Sequence, residues 1–109
     1  MSESGEHHGH PRFYELLREM ERIHDAKNHD YAGKGDPLKN FKLCAHLAGI
    51  PAWHGAYVRL LDKVSRVGSF IESGELHVKS EKIADTLLDL ANYALIALIL
   101  VEEDAHAPE

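Results

Sequence analysis

Four stretches of the chain repeat their apolar residues at helical spacing, and polar breaks separate them. In the first, Phe13, Leu16, Leu17, Met20, Ile23 and His24 share a face, with Glu15, Arg18, Glu19 and Arg22 outside. This predicts a helix from Pro11 to about His29. The run DYAGKGDP ends it, with Gly33 and Gly35 as loop formers. Asp36-Pro37 then reads as a helix start, an acidic cap followed by a proline at the first helical position. The second helix is short, carries Leu38, Phe41, Leu43 or Cys44, and Leu47, and stops at Gly49. Pro51 opens a third, whose Trp53, Tyr57, Leu60, Val64, Val67 and Ile71 make the most regular apolar stripe in the chain, up to the stop at Gly74. A fourth follows Ser80 as N-cap and runs to about Glu103, with Ile83, Leu87, Leu90, Ala91, Ala94, Leu98 and Val101 as its core stripe. Nothing reads as a strand. The expected fold is all-α, a four-helix bundle-like single domain over residues 11–104 behind a disordered tail, residues 1–10.

The fourth helix holds a second line opposite that core stripe. Glu81, Asp85, Asp89 and Asn92 fall within roughly 80° of arc, and continuing the line meets Ile96, Ile99 and Leu100. From Ala94 onward the helix is apolar on every side. A helix buried all round in so small a domain needs a second chain, so a homodimer or higher homo-oligomer through the C-terminal helix is expected.

Composition narrows the classes. With 109 residues, 44% apolar and 28% charged, the chain fits one soluble globular domain. Its net charge of −6 argues against a nucleic-acid coat, although a small anionic ligand on a few local cations stays open. A single cysteine, Cys44, fits a reducing compartment and a small buried apolar role. The N-terminal segment lacks the pattern of a signal peptide, and the apolar run from Ala94 to Val101 is short for a bilayer. A cytoplasmic protein is expected, without membrane partners.

Three clusters carry candidate chemistry. The acids Glu81, Asp85 and Asp89 repel one another at i, i+4, i+8, and a hard cation such as Mg²⁺ would relieve this; a solvated helix face is the plain alternative. Arg59, Asp62, Lys63 and Arg66 lie opposite the third helix's core stripe, either clamping phosphate oxygens or forming an ion-paired surface. Lys27, Asp30, Tyr31, Asn40 and Phe41 flank the glycine loop, where an aromatic ring, amide and cation suit a base or sugar. Neither a phosphate-loop nor a dinucleotide fingerprint is present.

In order, Lys27-x-x-Asp30-Tyr31, Asn40-Phe41, Arg59-x-x-Asp62-Lys63-x-x-Arg66 and Glu81-x-x-x-Asp85-Thr86-x-x-Asp89-Leu90-x-Asn92-Tyr93 resemble nucleotide-modification-associated domain 1. This is a family of small phage and bacterial domains, and the likeness spans about residues 12 to 102. The helical pattern is also similar to that of MazG-like pyrophosphohydrolases, which hold Mg²⁺ on acids from two helices. Their E-x-x-E and E-x-x-D pairs are not matched, since Glu81 and Asp85 stand four apart and Lys82 occupies the place of an expected glutamate. The resemblance implies a nucleotide-recognising phage-type protein, in one form a Mg²⁺-dependent (d)NTP pyrophosphohydrolase. There Glu81 and Asp85 are catalytic, Glu81, Asp85 and Asp89 hold the metal, and Arg59, Lys63 and Arg66 neutralise phosphates. Lys27, Asp30, Tyr31, Asn40 and Asn92 contact base or sugar. The alternative is a non-catalytic binder that sequesters a nucleotide signal of host defence.

Overall fold

The structure is a computed structural model that describes residues 7–31, 35–74 and 82–105, without the side chains of Asp30 and Tyr31. Gly33, Ser80 and Glu81 lie outside the described residues. Every described element is a helix: α1 (Pro11–Tyr31), α2 (Lys39–Ala48), α3 (Ala52–Ser73) and α4 (Ile83–Ala105). The fold is all-α, as the periodicity predicts.

Local chemistry sets the helix ends. His10 caps α1, its Nδ1 accepting the Arg12 N–H at 3.0 Å and its carbonyl accepting that of Phe13. Ahead of it His7 stacks on Tyr14, so residues 7–10 lie against the first turn. Asp36-Pro37 forms a turn ahead of the helix, which starts two residues later than predicted. The Asp36 carboxylate accepts the Leu38 N–H at 2.9 Å, and α2 proper begins at Lys39. Gly49 and Gly74 close α2 and α3 with φ of 74° and 77°, a left-handed conformation that a Cβ disfavours. At the start of α4 the Asp85 carboxylate accepts the Lys82 N–H at 3.4 Å, the reciprocal half of a capping box.

The main packing is α3 against α4, antiparallel, since Arg59 meets Tyr93 and one turn later Lys63 meets Asp89. Next, α2 packs on α3, and among the described residues α1 packs only on α4. The core is Leu38, Ala56, Ile96 and Leu100, flanked by Phe41, Trp53 and Tyr93. Ala56 is fully buried, and its small side chain lets the neighbouring helices come close.

The predicted core stripes of α3 and α4 turn inward only in part, with Trp53, Leu60 and Val67 on α3 and Ile83, Leu90 and Ala91 on α4 half-buried. On α4, Leu87 (50% exposed), Leu98 (52%) and Val101 (40%) are open, and Ala94 is exposed too. The opposite line turns inward in part, with Ile96 and Leu100 buried, Asp89 and Asn92 half-buried, and Asp85 and Ile99 exposed. A helix with two apolar stripes gives the periodicity no means of choosing between them. The acidic end is drawn in because its partners, Lys27 and Lys63, sit on α1 and α3. On α3 likewise, Tyr57, Val64 and Ile71 are exposed, whereas Lys63, placed by its spacing on the outer face, keeps only 12% side-chain exposure. Cys44 is exposed, not buried.

An ion cluster ties α2 to the end of α4. Lys42 pairs with Asp36 and, at 2.8 Å, with Glu103. The Lys42 bond, then the Leu38 N–H, holds the Asp36 carboxyl below its ordinary pKa. The Asp36 bond, then Glu103, raises that of Lys42. A lowered carboxyl stabilises above its unfolded pKa and loses that contribution as pH falls through the folded value; the raised amine loses its own only as pH rises through its folded value. The Lys42→Met variant should therefore melt below wild type by a constant margin near neutrality. Thermal melts across pH should show that margin closing in acid as Asp36 protonates, and again in strong alkali.

Candidate functional site

A cleft of about 490 Å³ opens where the C-terminal half of α1, the start of α2, and α3 and α4 meet. Each wall brings a different group. α1 contributes His24 and Lys27, α2 contributes Asn40 and Phe41, α3 Arg59, and α4 Asn92 and Tyr93. Phe41 and Tyr93 stand edge to face with centroids 6.2 Å apart, a geometry aromatic pairs prefer. Arg59 lies over the Tyr93 ring at 5.5 Å and donates to its hydroxyl at 3.2 Å. The guanidinium is thus held by one face while its remaining N–H donors stay available.

Beside the cleft one carboxylate organises two cations. Asp89 Oδ1 lies 3.5 Å from Lys27 Nζ, and Oδ2 lies 3.4 Å from Lys63 Nζ. The two lysines come from helices with no direct packing between them, so Asp89 is the link. Lys27 and Lys63 share Asp89, and Arg59 lines the cleft beside them, so among the described residues cations outnumber anions at this point of a chain of net charge −6. Such a locus attracts anions, and its aromatic and amide neighbours suit a ring with polar edges.

The sequence-predicted residues divide. Lys27, Asn40, Arg59 and Asn92 line the cleft, and Lys63 joins them through Asp89. Arg66 pairs with Asp62 at 3.3 Å on its own helix and does not line the cleft. Asp85 is exposed, outside the cleft, and engaged at the helix start. Glu81 and the side chains of Asp30 and Tyr31 lie outside the described residues. Sequence reasoning gave no role to His24 or Asn28, whose amide donates to the His24 carbonyl at 2.9 Å, nor to Tyr93, although Tyr93 sat beside Asn92 in a quoted motif. The shared spacing of His24 and Asn28 on α1 was the available signal.

Of the three acids expected to hold magnesium, the two among the described residues have other partners. Both oxygens of Asp89 already face ammonium groups, and Asp85 serves the helix N-terminus. Among the described residues no three His, Cys, Asp or Glu side chains come together as a ligand set.

No curated protein and no solved structure matches the chain. The sequence model of one family, described as nucleotide modification associated domain 1, matches residues 52–101. The match covers α3 and most of α4, which carry Arg59, Lys63, Asp89, Asn92 and Tyr93; Lys27, Asn40 and Phe41 lie before it. The similarity to nucleotide modification associated domain 1 thus lies in residues 52–101, 50 of the chain's 109.

Proposed function

We propose that the cleft binds a nucleotide without a metal, holding its phosphate on Lys27, Arg59 and Lys63 and its base between Phe41, Tyr93, Asn40 and Asn92. The observation that carries this is Asp89, whose carboxylate gathers Lys27 and Lys63 beside a cleft that already contains an arginine on a tyrosine face. Arginine suits bidentate contact with phosphate, lysine supplies point charge, and amides read the polar edges of a base. In this reading the protein, cytoplasmic and of phage type, sequesters a nucleotide.

A second reading is Mg²⁺-dependent pyrophosphate release, with Glu81, Asp85 and Asp89 as the metal's ligands. It rests on Asp85 and Asp89 standing one turn apart on α4. The experiment is incubation with a panel of NTPs, dNTPs and cyclic nucleotides, with Mg²⁺ or with EDTA, followed by chromatography before and after heat denaturation. Binding without catalysis gives intact nucleotide, released on denaturation, in both Mg²⁺ and EDTA. Pyrophosphate formed only with Mg²⁺ supports the second reading, and absence of binding at millimolar nucleotide defeats both. The Asp89→Asn variant separates them further. As a cation anchor it weakens binding equally in Mg²⁺ and EDTA; as a metal ligand it loses turnover while binding in EDTA persists.

A further inference from the structure

The cations around the cleft fall into two layers. Lys27 and Arg59 line it, from α1 and α3. Lys63 does not line it; its side chain keeps only 12% exposure, and its ammonium lies 3.4 Å from Asp89. Opposite charges so close largely cancel when seen from farther off. Lys63 therefore offsets Asp89 and leaves the charge of Lys27 and Arg59 directed at the cleft. Among the described residues Arg59 has no carboxylate partner, its contacts being the Tyr93 ring and hydroxyl. Lys27 turns one donor toward Asp89, and an ammonium has three.

Two such cations from different walls suit a group that carries about two negative charges. A phosphomonoester carries about that much at neutral pH. A phosphodiester has one ionised oxygen fewer and would leave part of the positive charge unmatched.

The cleft gives a longer phosphate chain nowhere to go. Along α3 the next cation after Lys63 is Arg66, which pairs with Asp62 at 3.3 Å and does not line the cleft. On α4 the turn before Asp89 carries Asp85, an exposed acid. Because α3 and α4 run antiparallel, Arg66 and Asp85 lie toward the same end. Toward the other end the lining turns apolar, with Phe41, Cys44 and Ile96. A triphosphate running one way approaches a carboxylate; running the other, it gives up water to apolar side chains with no cation in return. The volume agrees, since about 490 Å³ is in the lower part of the range for small-molecule sites, about 300–1,000 Å³.

Given that the cleft holds a nucleotide, we infer that it is a nucleoside monophosphate, its one phosphomonoester gripped by Lys27 and Arg59 while Lys63 offsets Asp89. The test is calorimetric titration of the full chain, in EDTA and again in Mg²⁺. The ligands are the 5′-monophosphate, 3′,5′-cyclic monophosphate and 5′-triphosphate of each common base. For whichever base binds best, the 5′-monophosphate should bind at least about tenfold more tightly than the other two forms. Lys63→Met, which leaves Asp89 offset by Lys27 alone, should narrow the margin over the cyclic form. The ligand comparison on the unaltered chain stays decisive if that variant misfolds. Alkylation of Cys44, the one cysteine of the chain and a lining residue, should slow when the monophosphate is bound. A triphosphate or cyclic form that binds as tightly as the monophosphate in either buffer, or a margin that a folded Lys63→Met leaves unmoved, would overturn this inference and leave the nucleotide site standing. No binding of any nucleotide at millimolar concentration, or unslowed Cys44 alkylation under saturating monophosphate, would defeat the site itself.

Discussion

Replacing Arg59 by alanine is expected to weaken nucleotide binding by about 10- to 100-fold, measured by calorimetric titration, while the fold stays intact. A charge-assisted hydrogen bond is worth about 1.5–3 kcal/mol, and each 1.4 kcal/mol is tenfold. Arg59 is exposed, so its removal opens no cavity; its structural partner is Tyr93, through the ring and the hydroxyl. Two companion variants locate the effect. Tyr93→Phe keeps the ring and loses only the 3.2 Å bond, so a few-fold loss is expected. Arg59→Lys keeps the charge and loses the planar fork, so binding should recover only in part. If Arg59→Ala binds as wild type does, the phosphate sits elsewhere.

The second large effect falls on stability. Leu100 is 2% exposed, in the cluster with Leu38, Ala56 and Ile96. Leu100→Ala removes its contacts and leaves a cavity, costing about 2–5 kcal/mol by denaturant unfolding. A domain of this size has about 5–15 kcal/mol in total, so the variant should be poorly folded at physiological temperature. Two residues earlier, Leu98 is 52% exposed in the single chain. Leu98→Ala should therefore cost little by the same measurement, because truncating an exposed side chain leaves no cavity.

The contrast between these neighbouring leucines shows what the sequence makes legible. Helix ends were readable because they are local: Gly49, Pro51 and Gly74 act through their own backbone torsions, and the structure uses all three. Facing was readable only in part. Spacing places Leu98 and Leu100 on stripes of their own, but which stripe turns inward depends on Lys27 and Lys63, residues on other helices. The site was legible in part for the same reason. Lys27, Asn40, Arg59 and Asn92 could be singled out because a cation or amide near a loop or among helical charges stands out. Tyr93 looks like core from its neighbours, and only its placement against Phe41 and Arg59 makes it a wall of the cleft. Spacing sets Asp85 and Asp89 one turn apart on α4, yet their chemistry is set by what lies across from each. Asp89 meets ammonium groups and Asp85 a backbone N–H, so the same spacing that suggests a metal serves two other purposes.

The bond from Lys42 to Glu103 makes the far end of the chain a determinant of the cleft mouth. Lys42 also holds Asp36, which fixes the turn that presents Pro37 and Leu38 to the cleft, and Glu103 sits in the last turn of α4. A chain cut before Glu103 would keep every cleft residue and yet lose the brace that sets their spacing. Integrity of the last turn of α4 and the ability to hold a ligand should therefore fail together.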